Sequence, residues 1–432
     1  MRKEKTTICF VGAGYVGLTW AVVLADLGNR VFLIEANQEK LAKLKKGQAP
    51  IYEPNLSALV KKTVKAKFLL PTGDWQEPIK ESQIIFIAVG TPIGNNGQAD
   101  LGQVKSVAKQ IGQNFSGGKK IIVNKSTVPV GTGKLVEKLI KKENPGADFE
   151  VVSCPEFLRE GQAVADTKSP SRVIIGTNSS WAFNRLKNLF LPLGAPIVKT
   201  STESAEIIKY AANNYLALRI GFIDQIASLC EKAGADVQEV IEGIGLDNRI
   251  GKHYWYPGIG YGGYCFPKDV AALAVIFKKA GLEKNLFSLL DQINQKRPSF
   301  YAQKLITRLG QEKTVAVLGL TAKPGTTDMR GSQALYFIKA LIKKGIRVRV
   351  FDPMGMEEAK KILTGVTFCS SAEKTARGAG AIAILCEWPE FKKLDWLKIK
   401  KLMKGKLVFD AKRMFNKQKL VAWGFEYLGV GI

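Results

Sequence analysis

Histidine is almost missing from this chain: His253 is the only one in 432 residues. It lies in the loop-like stretch GKHYWYPG with no carboxylate beside it in sequence, and is read as a loop residue. Proton transfer at any reacting centre then falls to lysine and carboxylate side chains. Paired cysteines are missing too. The six (Cys9, Cys154, Cys230, Cys265, Cys369, Cys386) are widely spaced without a C-x-x-C pair, and MRKEKTTICFVGAG enters a strand pattern at once, so no signal peptide and a reducing, cytoplasmic setting are expected. Apolar runs such as IIFIAVG and AALAVIF fall well short of the roughly 20 residues that cross a bilayer, so no membrane partner is expected. Acidic residues are in deficit, 38 against 64 Lys plus Arg, for a net charge of +26. The lysines are scattered along amphipathic stretches (QEKLAKLKKG, VKKTVKAK, FIKALIKKG) and not interleaved with stacking aromatics. That pattern argues against nucleic acid as a partner and leaves solvated helix faces with an attraction for small anions. Low-complexity segments and short-period repeats are absent.

What is present is enough apolar material, 46% of the residues, to fill two or three domains. TTICFVGAGYVGLTWAVVLADLGNRVFLIE reads as apolar strand, glycine turn, amphipathic helix and second strand ending in an acid, one βαβ unit. Buried-strand runs follow at QIIFIAVGTP, KKIIVNKSTVP, FEVVSCPEF and SRVIIGT, which predicts a mostly parallel sheet covered on both faces. From STESAEIIKYAANNYLALRIGFIDQIASLCEKAGA one long helix is expected, opened by a Ser/Thr cap and closed near Gly234. A helical middle runs to about Pro298, beyond which another helix leads into further strand, loop, helix and strand patterns. The fold class is α/β: two Rossmann-like doubly wound domains, 1–199 and 299–432, joined by a central helical domain, 200–298.

GAGYVG sets Gly12, Gly14 and Gly17 in G-x-G-x-x-G spacing between a strand and a helix, where a backbone free of Cβ atoms can approach a pyrophosphate. Glu35, at the end of the second strand, can accept hydrogen bonds from a ribose and repel a 2′-phosphate, so NAD is expected ahead of NADP. On the long helix Ala205, Lys209, Asn213, Leu216, Ile220, Ile223 and Ala227 share one stripe. Lys209 either snorkels from that stripe to solvent or is desolvated and functional. CPEFLREG follows a strand end and brings the acids Glu156 and Glu160, either surface charges at a helix start or members of a polar site; VNKSTVPVG brings Thr127 to another strand end. In GIGYGGYCFPKD, Cys265 follows glycines at 258, 260, 262 and 263, which would let a loop wrap a ligand, and precedes Lys268 and Asp269. It is either structural or a nucleophile; beside NAD, a nucleophilic cysteine suggests aldehyde oxidation through a thioester.

In this order, VGAGYVGL, PIYEPNL, VGTP, KSTVPVG, PEFLREG, SPSRVIIG, EIIKYAANNYLALRI, GYGGYCFPKD and AKPGTTDMRGS make the chain resemble the nucleotide-sugar 6-dehydrogenases along almost its whole length. The resemblance implies an N-terminal NAD domain, a central region that forms a homodimer through the long helix, and a C-terminal domain for the nucleotide diphosphate. It makes Cys265 the nucleophile, gives Lys209 and Asn213 the reacting C6 oxygen, and has Glu156, Thr127 and Asp269 organise water and protons. Cofactor contacts implied are Gly12, Gly14, Tyr15, Val16, Gly17, Glu35, Lys40, Thr91, Thr127, Glu160, Cys265, Lys268 and Arg330, with Glu35 standing where many relatives have aspartate. Substrate contacts implied are Glu156, Phe157, Leu158, Lys209, Asn213, Tyr254, Tyr261, Gly262 and Lys323, plus Arg249 reaching the partner subunit's substrate. No metal is expected. The implied activity is oxidation of UDP-glucose to UDP-glucuronate with two NAD; GDP-mannose or an N-acetylated UDP-hexosamine as substrate, and a non-catalytic NAD-binding protein, are the alternatives.

Overall fold

Apolar runs that can seal both faces of a sheet form the strands of the computed structural model, which describes residues 5–432. Residues up to Ala212 pack as one unit and Asn213–Ile432 as another. The first unit holds β1 (Thr7–Val11), β2 (Arg30–Ile34), β3 (Leu69–Thr72), β4 (Ile84–Ile87), β5 (Lys120–Asn124), β6 (Phe149–Ser153), β7 (Val173–Gly176) and β8 (Ile197–Thr200). Their spatial order is β3-β2-β1-β4-β5-β6-β7-β8, and the first six reproduce the dinucleotide-binding order. All neighbours run parallel except β6 and β7, which meet antiparallel at Ser153 and Gly176. Along β1, Ile8 and Phe10 enter one core with Val31 and Leu33, while Cys9 and Val11 enter the other with Phe32 and Ile34. The edge strands β3 and β8 are only partly buried, so their sequences LLPT and IVKT lack the apolar run that marks the central strands.

The helix Thr202–Ala233 opens with Glu203 in its first turn and with the Ser204 amide donating to Ser201 Oγ at 3.1 Å. Gly234 ends it in the left-handed region, φ +75°. Ala205, Lys209, Asn213, Ile220, Ile223 and Ala227 of the expected stripe are buried.

The second unit holds β9 (Thr314–Leu318), β10 (Arg347–Phe351), β11 (Val366–Phe368), β12 (Ala381–Ile384), β13 (Leu407–Asp410) and β14 (Glu426–Gly429), ordered β11-β10-β9-β12-β13-β14. This repeats the order of the first unit's first six strands, without counterparts to β7 and β8. Gly319, after β9, has φ +88°, and a Cβ there would stand 2.7 Å from the Cys386 nitrogen beyond β12. Asp352, after β10, sits where Glu35 sits after β2, but it accepts from the amides of Leu320 at 2.7 Å and Gly355 at 2.7 Å and from Trp388 Nε1 at 3.1 Å. One helix, Leu286–Ile306, runs through Pro298 without stopping there. Asn294 and Arg297, just before the proline, are buried and bonded to the backbone of residues 258–261, which holds this stretch in place despite the missing proline N–H.

Close packing of glycine loops yields a stability prediction. A Cβ on Gly262 would lie 2.6 Å from the Gly331 carbonyl oxygen, so Gly262→Ala is expected to destabilise the chain by about 1–3 kcal/mol in denaturant unfolding. Gly243, within the helix Val237–Gly245, has nothing within 4 Å of its would-be Cβ, so Gly243→Ala is expected to stabilise by about 0.5–1 kcal/mol in the same measurement.

Candidate active site

The turn after β1 meets the requirements of a pyrophosphate cradle one glycine at a time. Gly12 takes φ +102°, and a Cβ on it would stand 2.8 Å from the Ala88 oxygen beyond β4. At Gly17 a Cβ would lie 1.9 Å from the Gly12 oxygen, so helix and turn can approach only without it. Gly14 has nothing within 4 Å of that point: the space above it is open. It is the N-cap of the helix Tyr15–Asp26 and offers no side-chain acceptor, so this helix start can face an anion. Glu35 Oε2 accepts from the Ala13 amide at 3.1 Å and Oε1 from the Asn37 amide at 2.8 Å, which fixes the carboxylate beside the turn with lone pairs left for ribose hydroxyls. Asn37 in turn caps the Lys40 amide at 3.0 Å. These residues fit NAD.

Loops after β4, β5 and β6 continue the same edge. Thr91, buried, donates from Oγ1 to the Thr127 carbonyl at 2.8 Å, tying the loops after β4 and β5 together. After β6, Glu156 is buried and accepts from the Leu158 amide at 2.7 Å through Oε2, while Oε1 lies 3.0 Å from Lys209 Nζ. Lys209 is only 3% exposed, so it does not snorkel. Its ammonium stands 5.3 Å from the centre of the Phe157 ring, and the Arg172 guanidinium stacks on that ring at 3.7 Å. A desolvated lysine beside a carboxylate can stabilise an oxyanion and move a proton. One turn earlier, Glu206 accepts from the amides of Gly131 at 2.7 Å and Gly133 at 2.9 Å; burial pushes its carboxyl up to about 7 against the pull of those two bonds.

In the second unit Cys265, half-buried, is the first residue of the helix Cys265–Lys279, whose N-cap Tyr264 supplies no side-chain acceptor. A helix N-terminus favours negative charge at the thiol. Lys268, one turn on, lies 2.5 Å from Asp269 Oδ1, and Asn213 Nδ2 donates to Asp269 Oδ2 at 2.6 Å; all three are buried. Arg330 forks onto Asp328 at 2.8 and 2.9 Å and stacks on the Tyr264 ring at 4.1 Å. The preceding glycines answer first to the protein's own atoms. A Cβ would lie 3.3 Å from the Ala411 oxygen at Gly258, 2.5 Å from Asn294 Oδ1 at Gly260 and 2.6 Å from the Gly331 oxygen at Gly262, while at Gly263 the space is open. Tyr261 is held by its backbone: Asn294 accepts from its amide at 2.8 Å and donates to its carbonyl at 3.0 Å.

The first unit therefore gathers Gly12, Gly14, Tyr15, Val16, Gly17, Glu35, Thr91, Thr127, Glu156, Phe157, Leu158, Glu160 and Lys209 in its turns, strand ends and helix start, with Lys40 one helix turn beyond. The second gathers Asn213, Cys265, Lys268 and Asp269, with Tyr261, Gly262 and Arg330 along the adjoining loops. Lys323 begins a turn, accepting at its carbonyl from Thr326 Oγ1 at 3.2 Å. Tyr254 adopts φ +64°, with its ring 6.5 Å from that of Phe266. Arg249 stands apart, highly exposed and paired with Asp247 at 2.7 Å; His253 is exposed. Sequence reasoning assigned no role to Glu53, Glu206, Arg172 or Tyr264. Glu53 lies in PIYEPNL, a run of acid among prolines whose purpose local pattern does not disclose.

Comparison with known proteins accounts for all three parts of the chain. Models of the UDP-glucose/GDP-mannose dehydrogenase family match residues 6–194 as its NAD binding domain, 203–296 as its central domain and 316–417 as its UDP binding domain. The chain is 44% identical to the UDP-glucose 6-dehydrogenase TuaD of Bacillus subtilis over 98% of its own length and 93% of that protein's. It is 42% identical to a UDP-glucose 6-dehydrogenase of Rhizobium meliloti, covering 98% and 99% of the two chains. A solved UDP-glucose dehydrogenase of Pyrobaculum islandicum superposes with a TM-score of 0.94 at 34% identity, covering 100% of this chain and 98% of that one.

The glycine geometry separates cofactor binding from stability. Gly14→Ala is expected to change unfolding free energy by less than about 0.5 kcal/mol while weakening NAD binding about tenfold or more by calorimetry, because its Cβ enters open space that a pyrophosphate needs. Gly17→Ala is expected to lower the melting temperature even without NAD.

Proposed function

We propose that this chain, which belongs to the UDP-glucose/GDP-mannose dehydrogenase family of NAD-dependent oxidoreductases, oxidises C6 of UDP-glucose through aldehyde to carboxylate on a single cysteine. The reading is carried by what each unit holds: in the first a buried Lys209–Glu156 couple, in the second a thiol at a helix N-terminus that also carries a buried Lys268–Asp269–Asn213 group. The names of the relatives at 44% and 42% identity point to UDP-glucose within the family.

Lys209 and Asn213 orient the C6 oxygen, and Lys209 stabilises the charge that grows on it. NAD, held by the glycine turn and Glu35, would supply the hydride acceptor, one oxidised molecule for each of the two hydrides that leave C6. Cys265 adds to the aldehyde as thiolate, giving a thiohemiacetal; loss of the second hydride leaves a thioester. Glu156, Thr127 and Asp269 position the water that attacks the thioester, and the thiol is released with the carboxylate. Tyr15, Val16, Lys40, Thr91, Glu160, Lys268 and Arg330 hold the cofactor, while Phe157, Leu158, Tyr254, Tyr261, Gly262 and Lys323 line the sugar nucleotide. Residues 1–199 serve NAD, 200–298 dimerisation and catalysis, and 299–432 the UDP moiety. Support for a homodimer comes from Tyr215, Phe222 and Leu229, which expose apolar surface at seven-residue spacing on the long helix; in that dimer the exposed Arg249 is assigned to the partner's substrate. All six cysteines are unbridged, and among the described residues no helix is long and apolar enough to cross a membrane; both accord with a cytoplasmic enzyme.

Activity against a panel of UDP-glucose, GDP-mannose and N-acetylated UDP-hexosamines, followed by NADH absorbance, tests the substrate. Two NADH per UDP-glucose with no free aldehyde is the expected stoichiometry; one NADH with released aldehyde would remove the thiol from the reaction. Cys265→Ala is expected to lose steady-state turnover by about 10³-fold or more while still binding UDP-glucose. Cys265→Ser should stall with bound aldehyde or an acyl ester visible by intact-protein mass spectrometry. Wild-type turnover of Cys265→Ala with two NADH per substrate would make the cysteine structural.

A further inference from the structure

We infer that Glu53 and Glu206 are positioning residues, each gripping through two backbone amides one of the two loops that carry the proton-handling side chains of the first unit. Glu53, only 4% exposed, accepts from Gly161 N at 2.8 Å through Oε2 and from Ala163 N at 2.7 Å through Oε1. The loop it grips runs from Pro155 to Gly161 and bears Glu156, Phe157, Leu158 and Glu160. Glu206, 2% exposed, does the same to the other loop, with Gly131 N at 2.7 Å on Oε2 and Gly133 N at 2.9 Å on Oε1; this loop bears Thr127. In both cases the fork spans amides two residues apart at the start of a helix, Ala163–Lys168 or Thr132–Glu143, whose own N-cap provides no side-chain acceptor. Gly133 makes the second grip possible, since a Cβ there would stand 2.7 Å from Thr202 Cγ2 and 3.5 Å from Glu206 Oε1. Glu206 also precedes Lys209 by three residues on one helix, so the turn that holds the Thr127 loop presents the lysine paired with Glu156. Bonds from amides to a buried carboxylate are short and strong, and losing either partner strands the other. The loops themselves carry no regular structure, so these forks, with Thr91 on the Thr127 carbonyl and Asp166 on Arg159, set where their side chains stand.

This inference rests on the proposed reaction, and the test keeps the two apart. In the full chain, Glu53→Gln and Glu206→Gln each place an NH₂ group opposite one of the two gripped amides. With the variants folded by near-UV circular dichroism, kcat on UDP-glucose is expected to fall about tenfold or more, the scale of a misplaced catalytic group. Amide hydrogen exchange, measured without substrate, is expected to quicken in 155–163 for Glu53→Gln and in 127–133 for Glu206→Gln, and nowhere else. Folded variants with wild-type kcat, or exchange that quickens throughout the first unit, would reduce the two carboxylates to general stabilisers and overturn the inference. Should the glutamine variants fail to fold, Glu53→Asp and Glu206→Asp, which keep the charge but draw the oxygens back by one methylene, are read in the same way. If the wild-type chain oxidises no nucleotide sugar, the proposed reaction fails while the exchange pattern still decides whether the forks hold their loops.

Discussion

Sealing both faces of a parallel sheet constrains everything else in this chain. Once Ile8, Phe10, Cys9 and Val11 are all buried, β1 has no exposed face on which to carry chemistry, and the same holds for the central strands beside it. Polar function is confined to the points where strands end. The glycine turn follows β1, Glu35 follows β2, Thr91 follows β4, Thr127 follows β5 and Glu156 follows β6. Loops crowded at such an edge leave many backbone amides without a ladder partner, and buried amides need acceptors. The carboxylates of Glu35, Glu53, Glu156 and Glu206 each accept from backbone amides at this edge.

Charge is distributed under the same constraint. The chain carries +26 overall; three of its buried charges are paired, Lys209 with Glu156, Lys268 with Asp269 and Arg297 with Asp224, while others are met by the backbone, Glu53 and Glu206 by amides and Lys120 by the carbonyls of Lys80 and Ser82. The surplus lies outside, on lysines such as Lys62, Lys134 and Lys361, whose side chains are well over half exposed. Such surface charge contributes little to stability and mainly raises the local concentration of anions, which suits a protein of a family that binds dinucleotides and nucleotide sugars. Inside, each pair is a commitment: removing one member leaves an uncompensated ion in a dry place.

What could be read from the sequence was local. The requirement for glycine at 12, 14 and 17 is set within six residues, and the long helix announces both its cap and its Gly234 stop within its own span. Central strands showed because sealed faces demand unbroken apolar runs; β3 and β8 did not, because an edge strand needs no such run. Lys209 was ambiguous on the helix stripe, and its burial against Glu156 excludes snorkelling. The grips of Glu53 and Glu206 were illegible because each joins residues 73 to 110 positions apart, and nothing in PIYEPNL names Gly161. The glycine run before Cys265 invites a ligand-wrapping reading, whereas three of its four members meet the protein's own backbone or Asn294. Pro298 reads as a boundary and is instead a helix residue, flanked by Asn294 and Arg297 with their long-range bonds.

The meeting of Gly262 with Gly331 has no rotamers in it. A side-chain contact warms gradually, spreading over alternative χ angles; peptide against peptide has no such reserve. Asn294 and Arg297 hold the earlier part of the segment leading to Cys265 by side-chain bonds, but at Gly262 itself the fit is set by backbone torsions and loosens by loop opening rather than by repacking. Glycine also has the widest conformational freedom to lose on folding, so ordering this segment carries a larger entropic penalty than a similar stretch of alanines would. The chain accepts that penalty at a place where added carbon atoms would push two loops apart, and the thiol stands directly downstream of it.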